Sequence, residues 1–480
     1  MPGNPSVAGY GHGSGTSEGA IFRAFFPLWP RVVHLGVRAA SIGTISFTNV
    51  AARRDDTHFN ALPGGMLRNR TLGALAGTLC AAALLVTPLT AHAAEGGPMS
   101  FEPIGGTPYG HASADWDEPF VIPAGYTQSV LVDESMLDIY GGGVEDLTDM
   151  NTVNETGRQA GRYLYRTHEV GSNGSISVID LKTGESKVIA QDAGWRRLDG
   201  LRWTPWGTLL FAEETGGGRL FEAFLDPSDP SVVVEVHERR DVGILRHEGI
   251  EALGDGTVFV IDELNGGSIF RFVPTTRGDL SHGQLYALKL TGLTDADQKW
   301  SSSTFNQKVG DFEWVALDMD QVRVDADAAA DAVSATEFGR PEDVEVIGST
   351  LYVANTTEDR VVAIDLNKQV LTPFVQAGVN VPVENPGAGV TGFNNPDNLA
   401  QGPDGRLWMV EDNFMSDVFV AGKDLDHDGV ADSVDHFAAL KDSGAEISGI
   451  YFGKDPKTLF LNIQHPAKPL ADGTWTITRR

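Results

Sequence analysis

A turn, an apolar strand, a polar break and a second alternating strand recur six times in this chain. The copies are "GRYLYRTHEVGSNGSISVIDL" (161–181), "WGTLLFAEETGGGRLFEAFL" (206–225), "DGTVFVIDELNGGSIFRFV" (255–273), "GSTLYVANTTEDRVVAIDL" (348–366), "DGRLWMVEDNFMSDVFVAG" (404–422) and "PKTLFLNIQHPAKPLADGTWTIT" (456–478). Each reads as a β-hairpin. Successive copies start about 45–55 residues apart, the repeat length of four-stranded propeller blades. One gap, near 94 residues, holds "GDLSHGQLYALKLTGLTDADQKW" (278–300), an insertion with strands of its own. A β-sandwich or a β-helix accounts less well for paired strands at so long and even a spacing. The expectation is an all-β, six-bladed β-propeller around a central channel. "FVIPAGYTQSVLV" (120–132) would close the ring against the last blade. Helical composition is confined to "DADAAADAV" (325–333), short enough to be a loop.

The front of the chain does not follow this pattern. Residues 1–65 are mixed and show no sustained period. Then Arg68 and Arg70 precede an apolar run, Leu72 to Val86, and Ala91-His92-Ala93 fits a small-x-small cleavage site. The run is shorter than the ~20 residues of a membrane span. Residues 66–93 therefore read as a secretory signal with cleavage near Ala93–Ala94. Met66 reads as the true start, and 1–65 as disordered upstream sequence translated by mistake; the alternative is a cytoplasmic tail with a short anchor. Residues 94–480 form a single propeller domain in this reading. Cleavage would remove Cys80, the one cysteine of the chain. It would also remove seven arginines against three acids, taking the net charge from −29 to −33. Such acidity excludes nucleic acid as a partner. The expected product is secreted, periplasmic or cell-surface, monomeric, and not inserted in a membrane.

Carboxylates recur at the entrance to the segment that would form each blade's innermost strand. "RRLDGLRW" offers Asp199, "LRHEGIEAL" Glu248 and "RPEDVEV" Glu342; "NNPDNLAQG" offers Asp397 with Asn398, and "AEISGIYF" Glu446. Innermost strands converge on the channel, where like charges repel unless their pKa values rise or cations sit among them. Hard oxygen donors on separate strands suit Ca²⁺ or a catalytic metal. A second ring is expected at the end of each hairpin's first strand: His168-Glu169, Glu213-Glu214, Asp262-Glu263, Glu411-Asp412 and Gln464-His465. Its candidate ligands are Glu169, Glu213, Asp262, Glu411 and His465. Taken singly, any of these could merely satisfy turn amides. Separately, "DLDHDGVADSVD" (424–435) places Asp424, Asp426, Asp428, Asp432 and Asp435 around Gly429 at calcium-loop spacing, with a structural role.

Together, "TPWGTLLFAEE", "RHEGIEA" with "GGSIFRFVP", "RPEDVEV", "NPDNLAQGPDGRLWMVED" and "SGIYF" followed by "TLFLNIQHP" resemble the PhoX-type alkaline phosphatases over roughly 102–470. The resemblance implies a secreted six-bladed propeller that binds an iron pair and several calcium ions around an oxo group and hydrolyses phosphate monoesters. By motif, Glu248 and Glu342 look like iron-pair ligands and Glu214 like a shared or calcium ligand. Asp397, Asn398 and Glu446 fall in further metal-binding segments. The family also has an iron-binding cysteine five residues before Thr-Pro-Trp-Gly-Thr. Counting back from Thr204 gives Asp199, so a harder donor stands in that place. The family often carries a twin-arginine signal, whereas Arg68-Asn69-Arg70 lacks adjacent arginines. Both departures point toward Ca²⁺ and put Fe³⁺, and with it the activity, in question.

The leading expectation is a secreted metal-dependent phosphatase acting on a small-molecule phosphate ester, with metal-activated oxygen and no protein nucleophile. Two other readings stay open: a calcium-dependent lactonase-like propeller, and a non-catalytic calcium-stabilised binding propeller. Metal content separates the three.

Overall fold

The computed structural model describes residues 97–105, 116–302, 307–385, 388–413 and 415–480. All of them belong to one compact unit, Val86–Arg480. The upstream segment, the signal, Cys80 and the cleavage point all lie outside the described residues.

Strands rich in β-branched and aromatic residues alternate with tight turns, as the repeat requires. Gly207 and Gly405 show why the turns hold glycine. Each follows an innermost strand in a turn with positive φ, +89° and +76°, a backbone region that side chains disfavour. The first blade runs Thr148–Val153, Tyr163–His168, Ser175–Asp180 and Ser186–Gln191 from the axis outward. The second runs Leu198–Trp203, Leu209–Glu213, Leu220–Asp226 and Asp229–Glu238. The third runs Ile250–Ala252, Val258–Ile261, Ile269–Thr276 and Asp279–Leu290. The fourth runs Pro341–Ile347, Thr350–Asn355, Arg360–Asp365 and Val370–Gln376. The fifth runs Pro396–Gln401, Leu407–Glu411, Asp417–Ala421 and Val434–Leu440.

The sixth blade takes Glu446–Phe452, Thr458–Gln464 and Gly473–Arg479 from the end of the chain. Its outer strand is Tyr126–Asp133, antiparallel to the last strand with Thr127 opposite Thr478. The fold is a six-bladed β-propeller. The closing segment does two jobs: only its second part closes the ring, while Phe120–Val121 pairs with Ala439 and Leu440 on the fifth blade. Each innermost strand touches the next, and the sixth touches the first, so the ring is complete.

The core follows the same sixfold plan. Six apolar clusters lie between neighbouring blades. Face-to-face packing of twisted sheets buries both faces of every blade and leaves the axis to polar side chains.

The long insertion is partly a blade element. Asp279–Leu290 is the third blade's outer strand, extended to 12 residues, and it pairs with Gly310–Ala316. That strand then pairs with Val370 and Leu371 of the fourth blade, fusing two blades into one nine-stranded sheet. The segment read as a loop contains a helix, Ala326–Ala332, capped by the Asp325 side chain on Ala328 N–H. Its alanines favour helix, and Ala326, Ala329 and Ala330 are buried against the third blade; burial of that face makes so short a helix stable.

Candidate metal centre

Three glycines let the innermost strands close in on the axis. A Cβ on Gly200 would lie 2.0 Å from Glu248 O, one on Gly249 2.6 Å from Asp343 Cα, and one on Gly449 2.2 Å from Asp149 O. Gly249 N–H donates to Glu342 O at 2.8 Å across two blades. The side chains beside these glycines are thereby forced together.

Glu248, Glu342 and Asp397, from the third, fourth and fifth blades, meet at the axis. Each offers a carboxylate oxygen, all three within 4.8 Å of one another, and all three residues are buried. Burial pushes each well above the usual carboxylate range, and neighbouring acids add to the effect. The chain holds them firmly. Asn398 Nδ2 donates to Asp397 Oδ1 at 2.7 Å. Arg340 Nε lies 2.7 Å from Glu342 Oε1, although not aligned as a hydrogen bond. The Thr356 hydroxyl contacts Glu342 Oε2 and Pro396 O.

Asp199 and Glu446 border the triad. Asp199 is 5% exposed, its Oδ1 has no hydrogen-bond partner, and burial followed by the Asp149 charge pushes it well up. Glu446 touches Asp412 and is likewise raised, first by burial. Asn398 Oδ1 accepts Gly449 N–H at 2.5 Å, so the amide also ties the fifth blade to the sixth. The first blade contributes Asp149, which sequence reasoning missed. Its carboxylate faces Asp199 and accepts Gln464 Nε2 at 2.7 Å, and burial raises it to about 7. Thr-Asp-Met-Asn lay one strand ahead of the first quoted hairpin, where the other blades carry their acids.

The second ring is shifted by one residue from the expected set. Glu213, Asp262 and Glu411 turn aside and cap the chain entering the next corner. They accept Arg196 N–H at 3.0 Å, Arg246 N–H at 2.8 Å and Asn394 N–H at 2.8 Å. Successive residues of a strand point to opposite sides, so Glu214, Glu263 and Asp412 face the channel instead. Glu169 lies in the ring as expected, beside Glu214. His465 is exposed and pairs with Glu145 at 3.0 Å, whereas the adjacent Gln464 reaches Asp149.

Three arginines lace this ring, and sequence reasoning missed them as well. Arg197 pairs with Glu169 at 2.9 Å, and Arg246 with Glu263 at 2.7 Å and with Glu214. Arg340 pairs with Glu263 at 2.6 Å and Asp412 at 3.0 Å. Burial raises Glu169 to about 11 and Glu263 to about 9. Burial also acts to raise Glu214, but hydrogen bonds from Glu263 and Glu169, with Arg246 and Arg197, hold it at about 2. Glu214 is thus the most acidic of the three.

Charges continue further along the innermost strands. Arg202 bridges Glu251 at 2.5 Å and Glu345 at 3.3 Å.

Of the calcium loop, Asp424, Asp426 and Asp428 converge within 4.8 Å. Asp432 Oδ2 accepts Leu425 N–H at 2.9 Å, and Asp435 Oδ2 lies 3.3 Å from Ser433 Oγ. The structure brings three of the five together. A cleft of about 480 Å³ beside this loop, between the fourth and fifth blades, contains none of the channel carboxylates.

The family profile described as alkaline phosphatase PhoX matches residues 217–467. The chain belongs to the PhoX alkaline phosphatase family. The match spans Glu248, Glu342, Asp397 and Glu446, so the PhoX region carries the triad. No curated protein matches the chain. Solved structures of similar outline include a streptogramin B lyase, 14% identical over 74% of this chain and 98% of that one, with TM-score 0.39. Another is a catalytically inactive virginiamycin B lyase from Staphylococcus aureus with quinupristin (12%, 74% and 99%, TM-score 0.40). A third is regucalcin, a calcium-binding protein from Agrobacterium tumefaciens (12%, 69% and 90%, TM-score 0.38). At these values they bear on neither chemistry nor substrate. No helix among the described residues is long and apolar enough to cross a membrane.

Proposed function

We propose that this PhoX-family protein is a secreted phosphatase that hydrolyses phosphate monoesters at a polyvalent-metal site in the propeller channel. The convergence of Glu248, Glu342 and Asp397 carries this reading. Buried carboxylates so close together need positive charge, and among the described residues only Arg340 pairs with one of the three. The orphaned Oδ1 of Asp199 beside them fits a cation-binding cradle. Asp199, Glu214 and Glu446 complete the proposed ligand surroundings, with Asp149 added from the structure. Every donor is an oxygen, which favours Ca²⁺ and allows Fe³⁺ only without a thiolate. When bound, such cations supply Lewis-acid stabilisation of the phosphoryl oxygens and an activated water-derived nucleophile.

The chain's own part is to hold and orient. Arg340 and Thr356 fix Glu342, and Asn398 fixes Asp397. Gly200, Gly249 and Gly449 keep the strands close enough for three blades to share one centre. Arg197, Arg246 and Arg340 pair with the acids of the mouth, which limits the negative charge a dianionic ester must pass. The reading includes export with cleavage near Ala93–Ala94, a monomer, and a structural Ca²⁺ on Asp424, Asp426 and Asp428.

The test is p-nitrophenyl phosphate hydrolysis at alkaline pH, with metal content measured on the same sample. Turnover with bound metal, both lost in Glu342→Gln, is the expected result. Folded, metal-loaded wild-type protein that hydrolyses no monoester would overturn it.

A further inference from the structure

The chain enters the innermost strands through equivalent corners. Leu147, Arg197, Arg246, Arg340 and Asn395 stand one to a corner on the first five blades. Their carbonyls accept the N–H groups of Glu169, Glu214, Glu263, Thr356 and Asp412 in turn, at 2.8 to 3.0 Å. Leu147, Arg197, Arg340 and Asn395 have φ between +44° and +53°. A Cβ disfavours that region, so the ring rather than local preference sets these corners. The three basic corners are consecutive, on the second, third and fourth blades. They make one side of the mouth cationic in a chain of net charge −29.

The three guanidinium groups are unequally committed. Arg340 serves Glu263, Glu342 and Asp412, all within 3.0 Å. Arg246 serves Glu263 at 2.7 Å and also Glu214. Arg197 holds only Glu169 closely. Its Nη2 stands 2.9 Å and its Nε 3.2 Å from the same oxygen, Oε1, while Glu214 is 3.7 Å away. Its side chain is also the most exposed of the three, 42% against 32% and 35%. Among the described residues Arg197 Nη1 makes no hydrogen bond. A guanidinium carries five N–H donors, so this fork is anchored along one edge with donors to spare.

We propose, on the phosphatase reading, that Arg197 receives the ester at the mouth, its spare N–H groups donating to phosphoryl oxygens while Glu169 holds the guanidinium in place. The planar fork matches phosphate oxygens in pairs, and such charge-assisted hydrogen bonds are strong. The contact is one of binding; no covalent bond is made or broken there.

The test uses the full, metal-loaded chain, with inorganic phosphate as the probe in calorimetry and p-nitrophenyl phosphate in kinetics. Arg197→Gln should weaken phosphate binding and raise KM by about 10–100-fold, the size of a lost charge-assisted contact. Its kcat should stay within about threefold and its metal content should be that of wild type. Arg197→Lys should recover part of the loss. Arg277→Gln removes a charge from an exposed turn of the third blade and should change neither constant, which separates contact from net charge. Calorimetry needs no turnover. Phosphate binding that depends on Arg197 in a protein that hydrolyses no ester would therefore sink the phosphatase and leave this contact standing. An active enzyme in which Arg197→Gln binds phosphate as tightly as wild type would overturn the inference alone. Wild type that binds no phosphate would overturn it too. So would loss of metal in Arg197→Gln that Arg197→Lys does not restore, since the side chain would then be only a brace.

Discussion

Arg340 Nε stands 2.7 Å from Glu342 Oε1, and among the described residues it is the one cationic side chain paired with the triad. The same guanidinium serves Glu263 and Asp412. Without bound metal, Arg340→Gln leaves three acids uncompensated. Arg340 is 35% exposed, so solvent screens part of the loss, and about 1–3 kcal/mol of destabilisation is expected. Urea unfolding in chelator measures it, and calcium should restore part of the difference. A variant as stable as wild type in chelator would show that the pairing contributes nothing.

The buried acids also set a pH dependence. Burial raises Glu251 to about 8 even beside Arg202, Glu345 to about 7 and Asp149 to about 7. Each binds its proton more tightly folded than unfolded, where carboxylates titrate near pH ~4. Their contribution is fully present below that value and is lost as pH rises through the folded values. Glu214, held at about 2, works in the opposite sense, but only below about pH 4. Thermal melts in chelator should therefore show greater stability at pH 5 than at pH 8. The reverse order would contradict the assignment.

Gly200 tests how tightly the channel is drawn. A Cβ there would lie 2.0 Å from a backbone oxygen, which cannot swing away as a side chain can. Gly200→Ala should cost about 3 kcal/mol or more and reduce channel metal. Gly216, with nothing within 4 Å of its would-be Cβ, is the control; Gly216→Ala should leave both properties unchanged. Equal behaviour of the two variants would mean that the innermost strands part easily.

The loop at 424–435 should behave independently of the channel. Asp426→Ala is predicted to abolish calcium-dependent protection of its amides in hydrogen exchange. Phosphatase rate at saturating metal should stay within about twofold, since a surface change this remote is expected to stay within ±0.5 kcal/mol. A large fall in rate would tie the loop to the reaction.

The blade count could be read from sequence because hairpin repeats are local, and the innermost acids could be read because each sits at a fixed offset from its hairpin. Glu213, Asp262 and Glu411 were harder. At the end of a strand, adjacent acids face opposite ways, and composition does not say which one turns inward. Arg197, Arg246 and Arg340 were invisible for another reason: they precede the innermost strands in corners whose geometry depends on three blades at once. Asp149 could have been found by extending the repeat one strand upstream. The helix Ala326–Ala332 could not, because packing against the third blade is what stabilises it.

The last strand, Gly473–Arg479, lies between Thr458–Gln464 and Tyr126–Asp133. That one strand ties a segment near residue 126 to the sixth blade, so removing it would unseal the circle and free the first-blade and sixth-blade acids from the rest.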